Sequence, residues 1–256
     1  MGESIFDGTH HYAQYSASCL VLDVQNQRWD ENKIGPLNSA RQQAAAVSLE
    51  TIGTFVLGGR MRWSGQNQRR TSEFLAEGAS QWVWGPDIPV DMAAPCAVKH
   101  SQSSFLLIFD KDIREYQADI ADPTSSSGWQ PAVKWPQLQI SRKETPGCSK
   151  IENLIVIAGG NYHETPEVLD LSTRTISFAS AASVSRIRFH MATITQDGQS
   201  YAFALAGDIA SRPCVDTVEQ FHPNNNSWTL SPAKTGVARR IYGAAVVATK
   251  LICPNR

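Results

Sequence analysis

Leu154-Ile-Val-Ile-Ala-Gly159-Gly160 is an apolar run closed by two glycines, and the chain repeats it. Phe55-Val-Leu-Gly58-Gly59 is a second copy. Phe203-Ala-Leu-Ala206-Gly207 keeps one glycine, and Phe105-Leu-Leu-Ile-Phe-Asp110 keeps the apolar run with both glycines lost. Ile5-Phe6-Asp7-Gly8 reads as the remnant of a fifth copy. The last positions, 8, 59, 110, 160 and 207, are 51, 51, 50 and 47 residues apart. A short apolar run ended by glycine is a strand signal, and self-similarity at a period near 50 residues marks stacked supersecondary units.

The flanks of each run repeat as well. Downstream lie 19–29, 71–82, 113–117 leading to Trp129, 167–178 and 217–228, each a strand, a polar turn and a second strand ending on an aromatic residue. Upstream lies a strand of small residues: Gln43-Ala-Ala-Ala-Val47, Pro95-Cys-Ala-Val98, Pro146-Gly-Cys148, His190-Met-Ala-Thr-Ile194 and Tyr242-Gly-Ala-Ala-Val-Val247. The expectation is an all-β chain with four strands per unit. The units are 36–87, 88–138, 139–181 and 182–234, with half-units at 1–35 and 235–256.

Composition narrows the function classes. The 256 residues carry 23 Lys+Arg against 24 Asp+Glu, a formal charge of -1, which excludes a protein-wide electrostatic footprint for nucleic acid or a membrane surface. With 42% hydrophobic and 18% charged residues the chain is unlike a disordered one. No run approaches the ~18 apolar residues of a membrane helix. The first residues lack the basic and apolar regions of a secretory signal, so an intracellular chain is expected if Met1 is the true start. The five cysteines (Cys19, Cys96, Cys148, Cys214, Cys253) show no zinc-like spacing, and at least one is expected to be unpaired.

A pre-strand arginine (Arg41, Arg142, Arg240), an apolar strand closing in Gly-Gly, an aromatic position and a Trp make this unit resemble that of the kelch-repeat β-propellers. The copy at 217–228 is nearest, with Phe221 where that family usually has Tyr. The unit around Asp110 departs from the pattern by lacking both glycines, and Phe178 stands in place of a Trp. The resemblance covers nearly the whole chain. It implies a kelch-type β-propeller of four-stranded antiparallel blades, about five in this chain, one of them shared between the N- and C-termini. Alternatively the chain is part of a larger ring. Arg41 to Gly59 and Arg142 to Gly160 both span 18 residues, which puts the Gly-Gly expected after Arg240 beyond Arg256. In such an architecture the small residues at 44–46, Gly147 and 243–245 belong on the innermost strands. Trp29, Trp82 or Trp84, Trp129 and Trp228 become wedges between blades.

On the same scheme 11 of the 15 arginines fall in loops of one face: Arg60, Arg62, Arg69, Arg70 and Arg212 in one set, and Arg41, Arg142, Arg186, Arg188, Arg239 and Arg240 in another. Asp91, Glu144, Glu164, Glu167 and Asp208 oppose them there, while the opposite turns lean acidic. Guanidinium forks bind carboxylates and phosphates bidentately, and Trp and Arg dominate interface hot spots. The expected function is therefore a non-enzymatic protein-protein interaction module. It would bind an acidic or phosphorylated protein segment through Arg60, Arg62, Trp63, Arg69, Arg70, Arg188, Arg240, Tyr162 and His163, with no cofactor, no nucleic acid and no membrane partner. A structural role for Arg41, Arg142, Arg188 and Arg240, tying loops to neighbouring blades, competes with recognition.

The alternative is a propeller enzyme, galactose-oxidase-like or glycan-acting. For a metal, the nearest ligands are His10, His11 and Tyr12 in one loop and Tyr162 with His163 in the equivalent loop. Adjacent histidines on a strand point to opposite sides. No GxSxG, P-loop or paired-carboxylate motif is present, so no catalytic or metal residue is assigned.

Overall fold

In the computed structural model the described residues are 16–60, 70–161, 165–209 and 214–240, with the backbone alone at 4–6 and 11–13. Among them no α-helix is present, and 3₁₀ turns occupy Ser126–Gly128 and Ala132–Lys134. The chain is all-β. Its strands are β1 (Ser4–Phe6), β2 (His11–Ala13), β3 (Val21–Asp23), β4 (Arg28–Asp30), β5 (Ala45–Leu49), β6 (Gly53–Leu57), β7 (Ser72–Ala76), β8 (Val83–Trp84), β9 (Cys96–Lys99), β10 (Ser104–Phe109), β11 (Asp112–Gln117), β12 (Pro146–Ile151), β13 (Leu154–Gly159), β14 (Glu167–Asp170), β15 (Thr175–Phe178), β16 (His190–Gln196), β17 (Gln199–Leu205), β18 (Thr217–His222) and β19 (Ser227–Lys234). Among the described residues they form six antiparallel sheets: β1-β2, β3-β4, β5 to β8, β9 to β11, β12 to β15 and β16 to β19. The last four are meanders in which each strand pairs with its neighbour in sequence.

The apolar runs that carry the repeat are second strands, and packing explains their continuity. In β10, Phe105 and Leu107 enter one core with Phe55, Leu57 and Phe74, while Leu106 and Ile108 enter the next with Ile155, Ile157 and Leu169. In β13, Val156 and Ala158 turn to a third core with Phe189, Met191 and Phe221. The β9–β11 and β12–β15 sheets are thus buried on both faces by their neighbours, so alternation disappears from β10 and β13, whereas β6 and β17, each serving one core, keep it. The first strands β5, β9, β12 and β16 lie side by side in sequence order. Close approach there requires glycine at Gly147, where an added Cβ would come within 2.8 Å of both the Phe189 ring and Met191. Cys96 of β9 and Cys148 of β12 form a disulfide between adjacent first strands, while Cys19 and Cys214 are free thiols.

Three expectations change. The 88–138 unit has three strands, not four; a single bridge, Tyr116 to Trp129, replaces the outer strand. Register identifies the wedge positions: Trp228 faces Phe221, Trp129 faces Tyr116, and Trp29 faces Leu22. By the same register Ile176, opposite Leu169, takes this place in the 139–181 unit, and Phe178 is two residues further on and exposed. Trp82 is the buried member of its pair while Trp84 is exposed. Trp29, facing an aliphatic neighbour on a two-stranded sheet, is 65% exposed and is no wedge.

Candidate functional site

Three arginines from the expected basic face lie inside the protein. Arg41, Arg142 and Arg186 have side-chain exposures of 2%, 0% and 2% and pair with the fully buried Glu73, Glu167 and Glu219 at 2.7, 3.0 and 2.9 Å. The bracket is the same each time. The guanidinium donates to the carbonyl at the end of the second strand (Gly58, Gly159, Ala206) and to the carbonyl two residues before the glutamate (Thr71, Thr165, Thr217). The glutamate in turn accepts the backbone N–H three residues before the arginine, from Asn38, Gln139 and Ser183. Burial pulls the guanidinium pKa of Arg142 down and Glu167 opposes that shift. These residues fix the path of the chain into each sheet, which corrects their assignment to an accessible face. Glu167, counted among the opposing surface charges, is likewise internal.

The arginines that remain accessible converge. Arg60 follows Gly58-Gly59 and is fixed by paired backbone hydrogen bonds with Gln42. Its Nη2 lies 3.5 Å from Glu144 Oε1. Arg188 Nη2 reaches the other oxygen of Glu144 at 3.0 Å, and its Nη1 lies 3.4 Å from Asp208 Oδ2. Arg240 Nε closes the row on the same Asp208 oxygen at 2.7 Å. The order Arg60, Glu144, Arg188, Asp208, Arg240 is an alternating ladder with three guanidiniums on two carboxylates. The side chains of Arg60 and Arg240 at its ends are 37% and 53% exposed; between them Glu144 is 36% exposed, Arg188 25% and Asp208 12%. Cys214 donates its thiol hydrogen to Asp208 Oδ1 at 3.0 Å, and that bond is the first cause raising the thiol pKa.

Of the residues expected to bind a partner, Arg60, Arg188 and Arg240 therefore meet in one row. Arg70 is exposed and donates to the Ile88 carbonyl. Arg62, Trp63, Arg69, Tyr162 and His163 lie outside the described residues, as do Arg212 and the side chains of His10, His11 and Tyr12. The partners Glu73, Glu167 and Glu219 were missed, although the sequence carries their signal: Thr71-Ser-Glu73, Thr165-Pro-Glu167 and Thr217-Val-Glu219 are copies of one Thr-x-Glu motif.

A free arginine row binds oxyanions through planar forks, and here two internal carboxylates already occupy part of that capacity. Arg60 Nε is buried and has no hydrogen-bond partner among the described residues. Compared with protein-family models the chain matches none, and a search of the curated proteins likewise finds no match.

Proposed function

We propose that the chain is a non-enzymatic interaction module, a kelch-type β-propeller that binds an acidic or phosphorylated protein segment at the Arg60–Arg188–Arg240 row. Four features support the architecture: the repeat near 50 residues, the sheets buried face to face, the first strands lying side by side, and the recurring Arg–Glu brackets. The observation that carries the binding reading is the surplus of guanidinium over carboxylate in a row with accessible ends. Internal carboxylates keep the arginines extended and mutually tolerable without a ligand. An incoming carboxylate or phosphate takes the free donors of Arg60 and Arg240.

The test is fluorescence anisotropy with a labelled octaglutamate peptide and its phosphoserine counterpart. Arg60→Ala with Arg240→Ala should weaken binding by roughly tenfold or more, and rising salt should weaken the native complex in the same direction. Unchanged affinity in the double variant would refute the placement.

A further inference from the structure

The first strands β9, β12 and β16 border an open depression of about 690 Å³, which runs from His190, two residues after Arg188 of the arginine row, to Lys99 and Lys150 toward the other ends of these strands. Its polar lining includes Lys99, His100, Ser149, Lys150, His190 and Thr193. The two lysines stand on adjacent strands, and after burial the Lys99 ammonium is the next cause holding the Lys150 pKa down. Lys150 Nζ donates to the His100 carbonyl at 2.7 Å, and among the described residues it has no carboxylate partner. An ammonium has three donors, so two remain for the depression. Lys99 has a carboxylate, but Glu50 is 85% exposed, and an exposed pair of that kind is weak and easily exchanged. Glu152, the acidic residue of the lining, is exposed as well.

The hydroxyls sharpen the chemistry. Thr193 Oγ1 donates to the Lys150 carbonyl at 2.7 Å and lies 2.6 Å from Ser149 Oγ. The threonine hydrogen is committed, so the serine hydrogen lies between the two oxygens, and both present lone pairs to a ligand hydroxyl. His190 is three residues before Thr193 on β16, about 10 Å along the strand. Burial pulls its pKa down, and its imidazole has no hydrogen-bond partner among the described residues.

We infer that this depression binds a small hydroxylated organic anion, its carboxylate or phosphate held by Lys99 and Lys150 and its hydroxyl by Ser149 and Thr193. The volume lies in the range of small-ligand sites. This site uses no residue of the arginine row, so either can fail without the other.

Isothermal titration of the full chain with glucose 6-phosphate and with citrate separates a phosphate from a carboxylate preference. Saturable binding of at least one, with Kd below about 1 mM, is expected. Lys150→Met and Lys99→Met should each weaken it roughly tenfold, and Lys150→Arg should retain most of it. Arg60→Ala with Arg240→Ala should leave it unchanged. Circular dichroism establishes that each variant is folded, and the Arg variant of Lys150 supplies a charge-preserving control. No saturable heat from either compound, or an affinity in both methionine variants equal to that of the native chain, overturns the inference.

Discussion

The 139–181 and 88–138 units are neighbours that solve one problem in two ways. In the first, Arg142 and Glu167 pair inside the protein and Gly159-Gly160 end the second strand. In the second, Met92 stands where the arginine would be. The N–H of Gly59 bonds to its carbonyl, as that of Gly160 bonds to the carbonyl of Arg186. The Thr-x-Glu motif there reads Asp112-Ile113-Arg114, and Met92 is fully buried. Its buried carboxylate is displaced by one residue to Glu115, which takes the Trp135 indole N–H and the Lys134 ammonium, both at 2.8 Å. That unit thus ties its third strand to the outgoing chain, whereas the bracketed units tie theirs to the incoming chain. The ion pair is accordingly not what makes a sheet. Buried ion pairs contribute modestly against an apolar alternative, and their repeated role here is to hold the loop that enters each sheet.

The largest effect should come from breaking a bracket on one side. Glu167→Gln or Glu219→Gln leaves a buried guanidinium uncompensated and should cost about 3–5 kcal/mol in urea unfolding. The double replacement Arg142→Met with Glu167→Leu should recover most of that loss. Conversely, Met92→Arg alone should destabilise, and adding Arg114→Glu should restore part of the loss by building the missing bracket. Equal stability of the single and double variants would break the comparison.

A smaller effect concerns the strand end. Asp110 holds φ 56° where Gly160 holds φ 77°, and it is supported by Ser141 and Lys143. At Gly160 a Cβ would lie 2.9 Å from Pro146 Cβ and 3.0 Å from Arg142 Cβ. Gly160→Asp should cost about 2–3 kcal/mol by thermal unfolding, while Asp110→Gly should change stability by about 1 kcal/mol or less.

The smallest effect is in pH. Burial lowers the pKa of both His190 and His100 from 6.5, and Glu115 pulls that of His100 back up. The unfolded chain therefore takes protons first: stability is full above about pH 6.5 and falls below it. His190→Gln should flatten that acid decline, measured as Tm between about pH 7.5 and 5.5, more than His100→Gln does. The reverse order would locate the burden in the other unit.

Much of the fold was legible because it lies in short local signals. The apolar runs, their glycines and the small first-strand residues each report burial that acts on single strands, and the runs at 55–57, 105–109, 154–159 and 203–205 lie on the second strands of their sheets. The site was less legible. An arginine before a strand reads the same whether it faces solvent or a glutamate on another strand: Arg142 is buried against Glu167, whereas Arg240 is exposed and meets Asp208. The lysine pair of β9 and β12 carried no motif, because Lys99 and Lys150 become neighbours only when successive first strands pack together. Trp29 shows the remaining gap: its spacing matches the other wedges, but Leu22 cannot cover it as Phe221 covers Trp228.

The interaction reading rests on Glu144 and Asp208 acting as internal stand-ins for an acidic partner. Glu144→Gln with Asp208→Asn removes both competitors while leaving all three arginines in place. Anisotropy titration of labelled octaglutamate against this variant and the native chain tests that claim directly. Binding roughly tenfold tighter in the variant, and lost again on adding Arg60→Ala and Arg240→Ala, is the predicted result. Equal affinity in the native chain and both variants would contradict it.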